Sequence, residues 1–401
     1  MSKRVFVTGI GIISAIGNNL SETIDSIYAK KSGIAPIAYL ETNHKGLIPV
    51  AEVKLSNDGL KELAGIEKTM NYTRTALLGM IAAKQAMQSA GINDLTNFKT
   101  GLISSTSVGG MDRSEVFYKE FHQDNSKGKL RDVVGHDCGD STEKIADYLG
   151  IKDYVTTIST ACSSAANAMM YGARLIKHGL LDRVVVGGTD SLTRFTLNGF
   201  NTLMILDKDG CRPFDETRNG LTIGEGAGYL VLESEEVIKK SGKIPFCELK
   251  GYGNANDAYH QTASSPDGYG PYLSMQKAIE LSGLQLEEID YINVHGTGTP
   301  NNDLSEGLAM VKAFNGKVPK FSSTKPFTGH TLGAAGGIEA VISILAMKHN
   351  IIIPNMNFTT PMKEFNLIPE TELITNFEIR NILSNSFGFG GNDSTVIFSK
   401  C

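Results

Sequence analysis

Two separated segments of this chain are built alike, and this internal similarity limits the folds that the chain can adopt. Each reads as a strand, a polar turn and a helix of small residues that ends in a basic turn; the segments are residues 158–179 and 322–350. Short β-branched runs alternate with longer amphipathic stretches elsewhere, which predicts crossover connections and buried sheets. We therefore predict an α/β fold of two similar halves, 1–240 and 241–401, divided within the charged segment 233–245.

Composition excludes several classes of protein. The 401 residues are 41% hydrophobic and 20% charged, and the formal net charge is −5, so a basic footprint for nucleic acid is missing. We find no run approaching the roughly 18 consecutive apolar residues of a membrane span. The apolar N-terminus resembles a signal peptide, but glycines interrupt it and Val5, Val7 and Ile10 suit a buried strand. Five widely spaced cysteines without a CxxC pair favour a reducing cytoplasm and no metal site.

Cys162 is a candidate nucleophile because it stands in TACSSA, where a β-branched strand ends and a helix of small residues begins. A thiol at a helix N-terminus meets unpaired backbone N–H groups and the positive end of the helix dipole. Both are expected to lower its pKa below the usual value of about 8.5. The same N–H groups could hold an oxyanion on a bound acyl group. The alternative is an inert buried thiol, which is the usual fate of a free cysteine.

His295 in VHGTGTP and His330 in TKPFTGHTLGAAGG each follow a strand and lie among Gly and Thr in predicted turns. Such positions at sheet ends face ligands in α/β folds. Lys325 precedes His330 by five residues and Glu339 follows it by nine, so the two could form a buried ion pair that orients this imidazole. A solvated surface pair is the alternative.

The glycine-rich stretch NSFGFGGNDS lacks the helix that a phosphate loop needs, and VVVGG is not followed by a G-x-G-x-x-G pattern. These failures disfavour nucleotide binding. Phe389 could be an ordinary core aromatic, but its glycine neighbours predict a bent loop with a ring that can move. Residues 112–150 are the most polar and least periodic part, and we predict an insertion there.

In this order, TACSS, HGTGTP, SSTKPFTGH, GAAGG and NSFGFGG closely resemble the β-ketoacyl-acyl-carrier-protein synthases, the elongating condensing enzymes of the thiolase superfamily. The resemblance spans nearly the whole chain, including VFVTGIGIISAIGN, CRPFD, GEGAG and DAYH. It implies a thiolase-like, five-layered α-β-α-β-α fold, normally a homodimer. It also implies a decarboxylative Claisen condensation of an acyl group with malonyl carrier protein.

The resemblance also implies a role for each candidate residue. Cys162 would carry the acyl chain as a thioester, with the backbone N–H groups of Cys162 and Phe389 as oxyanion hole. His295 and His330 would stabilise the enolate left by loss of CO2, while Lys325, with Glu339, would hold His330. The remaining carried-over positions are Thr297 and Thr299 on the pantetheine arm, and Phe389, Val108 and His260 as substrate-binding or gating residues. No bound cofactor or metal is expected, because the substrates are carried on the phosphopantetheine arm of acyl carrier protein.

Four positions depart from the family pattern. Asn167 stands where His is common, Asn219 and Leu221 replace the usual residues of Asp-Gly-Phe, and Asp393 stands where Asn is common. None removes a catalytic group, but pocket and loop residues determine which acyl chain fits, so these departures weigh against ordinary fatty-acid elongation. A specialised elongase of a polyene or other polyketide-like product is therefore an open alternative.

Other readings predict different chemistry. A thiolase would use acetyl-CoA and normally has a second catalytic Cys near its C-terminus, where this chain has FGFGG. A starter-type synthase has Asn in place of His330. A chain-length-factor subunit usually lacks the nucleophile, so we favour the active enzyme, with a heterodimer of related chains still possible. A Cys hydrolase would need no malonyl group.

For the acidic carrier protein we expect a local basic patch on this acidic chain. The candidate clusters are Lys61, Lys68 and Arg74, or Lys127, Lys129 and Arg131.

Overall fold

The computed structural model describes residues 3–401. Across these residues the strands are β1 (Val5–Ser14), β2 (Ala35–Pro36), β3 (Pro49–Val50), β4 (Thr100–Ser105), β5 (Tyr154–Ile158), β6 (Arg183–Asp190), β7 (Gly226–Ser234), β8 (Cys247–Asn256), β9 (Tyr291–Asn293), β10 (Lys320–Ser322), β11 (Ile351–Ile352), β12 (Ile374–Thr375), β13 (Asn381–Gly388) and β14 (Asn392–Ser399). The helices are α1 (Leu20–Tyr28), α2 (Asn57–Ala64), α3 (Arg74–Ser89), α4 (Met111–Gln123), α5 (Cys138–Leu149), α6 (Ser164–Lys177), α7 (Arg194–Thr202), α8 (Glu235–Ser241), α9 (Tyr269–Ser282), α10 (Pro300–Ala313), α11 (Lys325–Thr328) and α12 (Ala335–His349).

The main sheet consists of two five-stranded halves with the same pairing pattern. Its strand order is β10-β9-β13-β14-β8-β1-β7-β6-β4-β5. From the centre outward, each half has two antiparallel pairings followed by two parallel ones: β1-β7-β6-β4-β5 in one and β8-β14-β13-β9-β10 in the other. Between the halves, β1 and β8 pair only at Phe6 with Glu248 and Val7 with Cys247. The predicted two similar halves are therefore present, and the division at residue 240 stays a prediction.

Three apolar cores join five layers, because the middle core contacts both half-sheets. Helices α3 and α5 pack on one face of the first half-sheet, and α9 and α10 pack on the outer face of the second. Between the two half-sheets lie α6 and α12, which contact each other. Because strands such as β1 and β6 are buried along their whole length, they are covered on both faces. The predicted α-β-α-β-α layering is confirmed.

Small residues bring the middle helices close to the sheet. Gly337 on α12 faces Gly228 on β7, and a Cβ on either would collide with the backbone of the other. The stretch Leu332–His349, which includes α12, is long and apolar enough to cross a membrane, but 89% of it is buried inside the protein. No membrane-spanning stretch is predicted from the sequence. This one has the length and composition of a span but lies in the core of the protein.

The predicted insertion at 112–150 is wrong in its extent. Helix α4 keeps every residue at least partly exposed, but α5 contributes Ile145 and Ala146 to the core that contains α3. Only the part before α5 lies outside the layers. The apolar residues of α5 are separated by polar ones, so the helix was not recognised from the sequence.

Candidate active site

Cys162 lies in the sharp turn between β5 and α6. Ala161 adopts a left-handed conformation with φ of +52°, which is uncommon for a residue with a side chain. The turn is fixed by Ser164, whose hydroxyl donates to the carbonyl oxygen of Ala161 and accepts from the N–H of Thr160. The thiol therefore stands at the helix N-terminus, as its position in the sequence indicates.

The structure brings the candidate nucleophile and both candidate histidines together. Nε2 of His330 is 3.1 Å from Sγ of Cys162, and the rings of His295 and His330 meet edge to face with centroids 5.2 Å apart. All three side chains are buried. The two histidine loops and the Cys162 turn thus converge on one point.

Lys325 contacts His295 rather than His330. Its Nζ is 3.2 Å from Nδ1 of His295, 2.5 Å from the carbonyl oxygen of His295, and 2.5 Å from Oε1 of Glu339. The buried ion pair with Glu339 is present, but the expectation that it holds His330 is wrong. His330 is instead fixed through Nδ1, which accepts from the N–H of Leu332 at 3.3 Å.

These contacts assign the tautomers of both imidazoles. Nδ1 of His330 accepts from a backbone N–H and Nδ1 of His295 faces an ammonium group, so each ring carries its proton on Nε2. Burial lowers the pKa of both histidines well below the usual value, and the charge of Lys325 lowers both further. Two neutral imidazoles therefore offer Nε2–H donors in the site.

Burial raises the pKa of the Cys162 thiol to about 11. The backbone N–H of Phe389 and the charge of Lys325 act in the opposite direction, but burial dominates. The expectation of a lowered pKa is therefore wrong for the resting protein, in which Cys162 is a neutral thiol. The backbone N–H groups of Phe389 and Cys162 both act to lower the pKa of this thiol, as donors directed at the sulfur would, and such a pair of donors is expected of an oxyanion hole.

A cavity of about 300 Å³ opens from the thiol. Thr297 and Thr299 line it, with their hydroxyl groups 2.8 Å apart. The ring of Phe389 also lines it and stacks on Phe200 with centroids 5.8 Å apart. Further lining residues are Met204, Asn219, Leu221, Asn301 and Phe387. Phe200 was missed because no motif surrounds it in the sequence.

Two predicted substrate-binding residues lie outside this cavity in the described chain. Val108 is buried, and its N–H donates to Asp190. His260 is exposed, and its Nδ1 accepts from the N–H of Thr262. Since neither side chain lines the cavity, their assignment as substrate-binding residues is not supported in this conformation.

Two carboxylates that the sequence analysis missed shape the His295 loop. Both oxygens of Glu306 accept backbone N–H groups, from His295 and Gly296, at 2.8 Å each. Asp303 accepts from the N–H groups of Thr297 and Gly298. Their signal in the sequence is a spacing of three residues just after HGTGTP, which places both on one face of α10.

By distance alone, the cluster could hold a metal ion. Sγ of Cys162 and one ring nitrogen of each histidine lie within 4.8 Å of one another. The adjacent ammonium of Lys325 opposes a cation there, because like charges repel strongly in a buried site. The absence of a catalytic metal stays a prediction.

Comparisons with known proteins agree with this geometry. Residues 2–237 match the family model "Beta-ketoacyl synthase, N-terminal domain", and residues 246–359 match "Beta-ketoacyl synthase, C-terminal domain". The 3-oxoacyl-[acyl-carrier-protein] synthase 2 of Staphylococcus aureus strain N315 is 33% identical over 410 residues, covering 100% of this chain and 99% of the relative.

Two solved structures are similar over the full length of both chains. The ishigamide ketosynthase/chain length factor superposes with a TM-score of 0.94 at 29% identity. A ketosynthase in complex with its type II polyketide synthase acyl carrier protein superposes with a TM-score of 0.89 at 25% identity.

Proposed function

Because the chain belongs to the β-ketoacyl synthase family, we propose that Cys162, His295 and His330 carry out its condensation reaction in two steps. The enzyme joins an acyl group to a malonyl thioester, releases CO2 and yields a 3-oxoacyl thioester. The observation that carries the assignment is the pair of neutral imidazoles whose Nε2–H groups face the thiol chamber.

In the first step, Sγ of Cys162 attacks the carbonyl carbon of an acyl thioester. The carrier thiol leaves with the proton that Cys162 loses, so the exchange is neutral overall. The N–H groups of Cys162 and Phe389 stabilise the oxyanion of the tetrahedral intermediate. Attack by sulfur is favoured in the thiolate form, which Lys325 and the Phe389 N–H support.

In the second step, the malonyl thioester loses CO2 and its electron pair passes to the thioester oxygen as an enolate. The Nε2–H groups of His295 and His330 are the donors for this oxygen, and such donors act most strongly where charge develops. The enolate carbon attacks the acyl-Cys162 carbonyl, and the Cys162 sulfur leaves as a thiolate that takes up a proton to restore the thiol. Lys325 and Glu339 support this step by holding His295.

We propose acyl carrier protein as the partner that delivers both substrates. The first candidate cluster is weaker than expected, because Arg74 is buried in an ion pair with Glu225 at 2.6 Å and only Lys61 and Lys68 remain for a docking surface. Lys127, Lys129 and Arg131 are all exposed and form the second basic cluster. The pantetheine arm would pass Thr297 and Thr299, and no other cofactor is required.

The exposed apolar side chains around α4 favour a dimer. Val116, Tyr118 and Phe121 on α4 are all more than 40% exposed in the single chain. A second copy or a related subunit would cover them, so we propose a homodimer, with the heterodimer as the alternative. We also propose a cytoplasmic location and neither nucleic acid nor membrane as partner.

Two product classes are compatible with the proposed condensation reaction. The relatives named 3-oxoacyl-acyl-carrier-protein synthase favour fatty-acid elongation, whereas the similar ketosynthases of polyketide assembly favour a specialised product. Intact-mass measurement of Cys162 acylation with saturated, polyunsaturated and aromatic acyl carrier proteins separates them. Acylation by none of these, or acylation that survives Cys162→Ser at the same rate, contradicts the proposed nucleophile.

A further inference from the structure

Asp393 is a fully buried carboxylate, and within residues 3–401 neither of its oxygens has a hydrogen-bond partner. It lies near the start of β14, opposite Phe387 on β13 and Ala255 on β8. An ionised carboxylate in such surroundings is strongly disfavoured. This side chain therefore requires an explanation that the condensation mechanism does not provide.

The charged groups around Asp393 are acidic. Burial raises the pKa of Asp393 to about 8. The negative charges of Asp257, in the loop after β8, and of Glu306, on α10, also raise it. The other elements in contact present uncharged residues: Phe387 from β13, Ala255 from β8, and Gly270 from α9, where even a methyl group would collide with Asp393. Asp393 is therefore a neutral acid at pH 7.

Asp393 adjoins the glycine loop, residues 388–391, that carries Phe389. The carbonyl oxygen of Gly391 accepts from the N–H of Asp257 at 3.1 Å, and that of Gly390 accepts from Nδ2 of Asn256 at 2.9 Å. Gly391 has φ of +73°, and a Cβ there would collide with Asp257. At Gly391, two residues before Asp393, the loop thus rests on the segment that contains Asp257.

We infer that Asp393 is a positioning residue that acts on the glycine loop through Asp257. As a neutral acid beside Asp257 it leaves the contact of Asp257 with Gly391 in place, and loss of its proton releases that contact. Loss of the proton would add a negative charge beside Asp257 and repel it, and the contact of Asp257 with Gly391 links this repulsion to the loop. Burial raises the pKa of Glu306 to about 7, so Glu306 adds to the repulsion as it ionises. Release moves the Phe389 N–H away from Cys162. The inference rests on the proposed role of Phe389, but the loop movement itself requires no reaction.

The absence of tryptophan from the sequence allows a single fluorescent reporter. Phe200→Trp places an indole against Phe389, and its emission is followed while pH is raised through the region of 8. We expect one transition with a midpoint near the pKa of about 8, abolished by adding Asp393→Asn. Asp140→Asn is the matched control, because burial also raises the pKa of Asp140 but it lies on α5. That variant keeps the transition.

A transition that persists in Asp393→Asn overturns the inference, as does its absence from both Phe200→Trp and the alternative reporter Phe389→Trp. A purely structural role for Asp393 would change the melting temperature of Asp393→Asn but leave the transition in place. That outcome also contradicts the inference.

Single-turnover acylation of Cys162 provides the functional readout. The thiolate fraction of a thiol with a pKa of about 11 rises about tenfold per pH unit, so loss of the loop contact should make acylation level off above the midpoint. In Asp393→Asn the rise should continue. If no variant is acylated at any pH while the fluorescence transition behaves as expected, the proposed function fails and the inference about the loop stands.

Discussion

Nζ of Lys325 lies 3.2 Å from Nδ1 of His295 and donates to the carbonyl oxygen of the same residue. The ammonium group therefore fixes both the ring and the backbone of one histidine. His330 depends on a different contact, the N–H of Leu332. The two imidazoles are thus oriented by independent parts of the fold and can be perturbed separately.

Removing Lys325 should impair decarboxylation more than acyl transfer. Lys325→Met alone would leave Glu339 buried without its partner, so we pair it with Glu339→Gln to keep the fold. Without the ammonium, Nδ1 of His295 can hold the proton and Nε2 no longer donates. We expect CO2 release from malonyl carrier protein to fall by about 10² to 10³, the usual cost of one such donor.

Single-turnover acylation of the same double variant measures the first step, and it should be retained to a greater degree. Lys320→Met is the control, because Lys320 forms a partly exposed ion pair with Glu370 outside the site. Equal loss of both steps in the double variant would show that Lys325 acts through the general charge of the site.

The two half-reactions should separate between Cys162 and His295. Cys162→Ala removes the nucleophile but keeps both Nε2–H donors, so it should still release CO2 from malonyl carrier protein without condensation. His295→Ala should form the acyl-enzyme but lose about 10² to 10³ in decarboxylation. Mass spectrometry measures acylation, and released CO2 measures the second step.

The pH dependence of this CO2 release follows from the histidine pKa values. Burial and the charge of Lys325 keep both rings neutral even at pH values well below the ordinary histidine pKa. CO2 release by Cys162→Ala should therefore not change with pH across the neutral range. Protonation at acidic pH would displace the contacts at Nδ1. If Cys162→Ala binds malonyl carrier protein but releases no CO2, while the unaltered enzyme condenses acetyl-CoA without malonate, a thiolase-like reaction replaces the decarboxylating one.

The residue types in the site could be predicted from the sequence, whereas one pairing between them could not. Lys325 is five residues from His330, which suggested a contact, but Gly329 with φ of +65° turns His330 away. Instead β9 and β10 are parallel neighbours, with Asn293 opposite Ser322, so the residues after each strand meet at one sheet edge. That adjacency brings Lys325 to His295.

Burial explains the other differences. The helix position of Cys162 indicated a lowered pKa, but the turn lies inside the protein and burial outweighs the nearby N–H groups. Arg74 was expected on a docking surface and lies in the core beside Glu225. The burial of Cys162 and of Arg74 cannot be predicted from a local sequence pattern, because it depends on which distant segments pack over each residue.

Reversing the exposed basic cluster should weaken carrier-protein binding. Lys127→Glu, Lys129→Glu and Arg131→Glu together should raise KM for the acyl carrier substrate and flatten its dependence on salt, since steering by exposed charges is screened by ions. Lys127→Glu with Lys129→Glu can be compared with Lys239→Glu and Lys240→Glu on α8, which reverse the same number of charges elsewhere. Equal effects of both sets, or unchanged kinetics in the first, would place docking on another surface.

Phe389 should control the entry of acyl chains more than the stability of the fold. Its ring is partly exposed, stacks on Phe200 and sits beside Gly390 and Gly391, both with positive φ. Phe389→Ala keeps the backbone N–H near Cys162 but removes the aromatic ring that lines the cavity beside the thiol. We expect changed selectivity among acyl chain lengths in the acylation assay, with little change in melting temperature. Phe398→Ala serves as the comparison, because Phe398 is buried in the core away from the cavity and its loss should cost about 3 to 5 kcal/mol, as is typical of a core aromatic. A large fall in melting temperature for Phe389→Ala, with acyl selectivity unchanged, would instead show that the ring is part of the core.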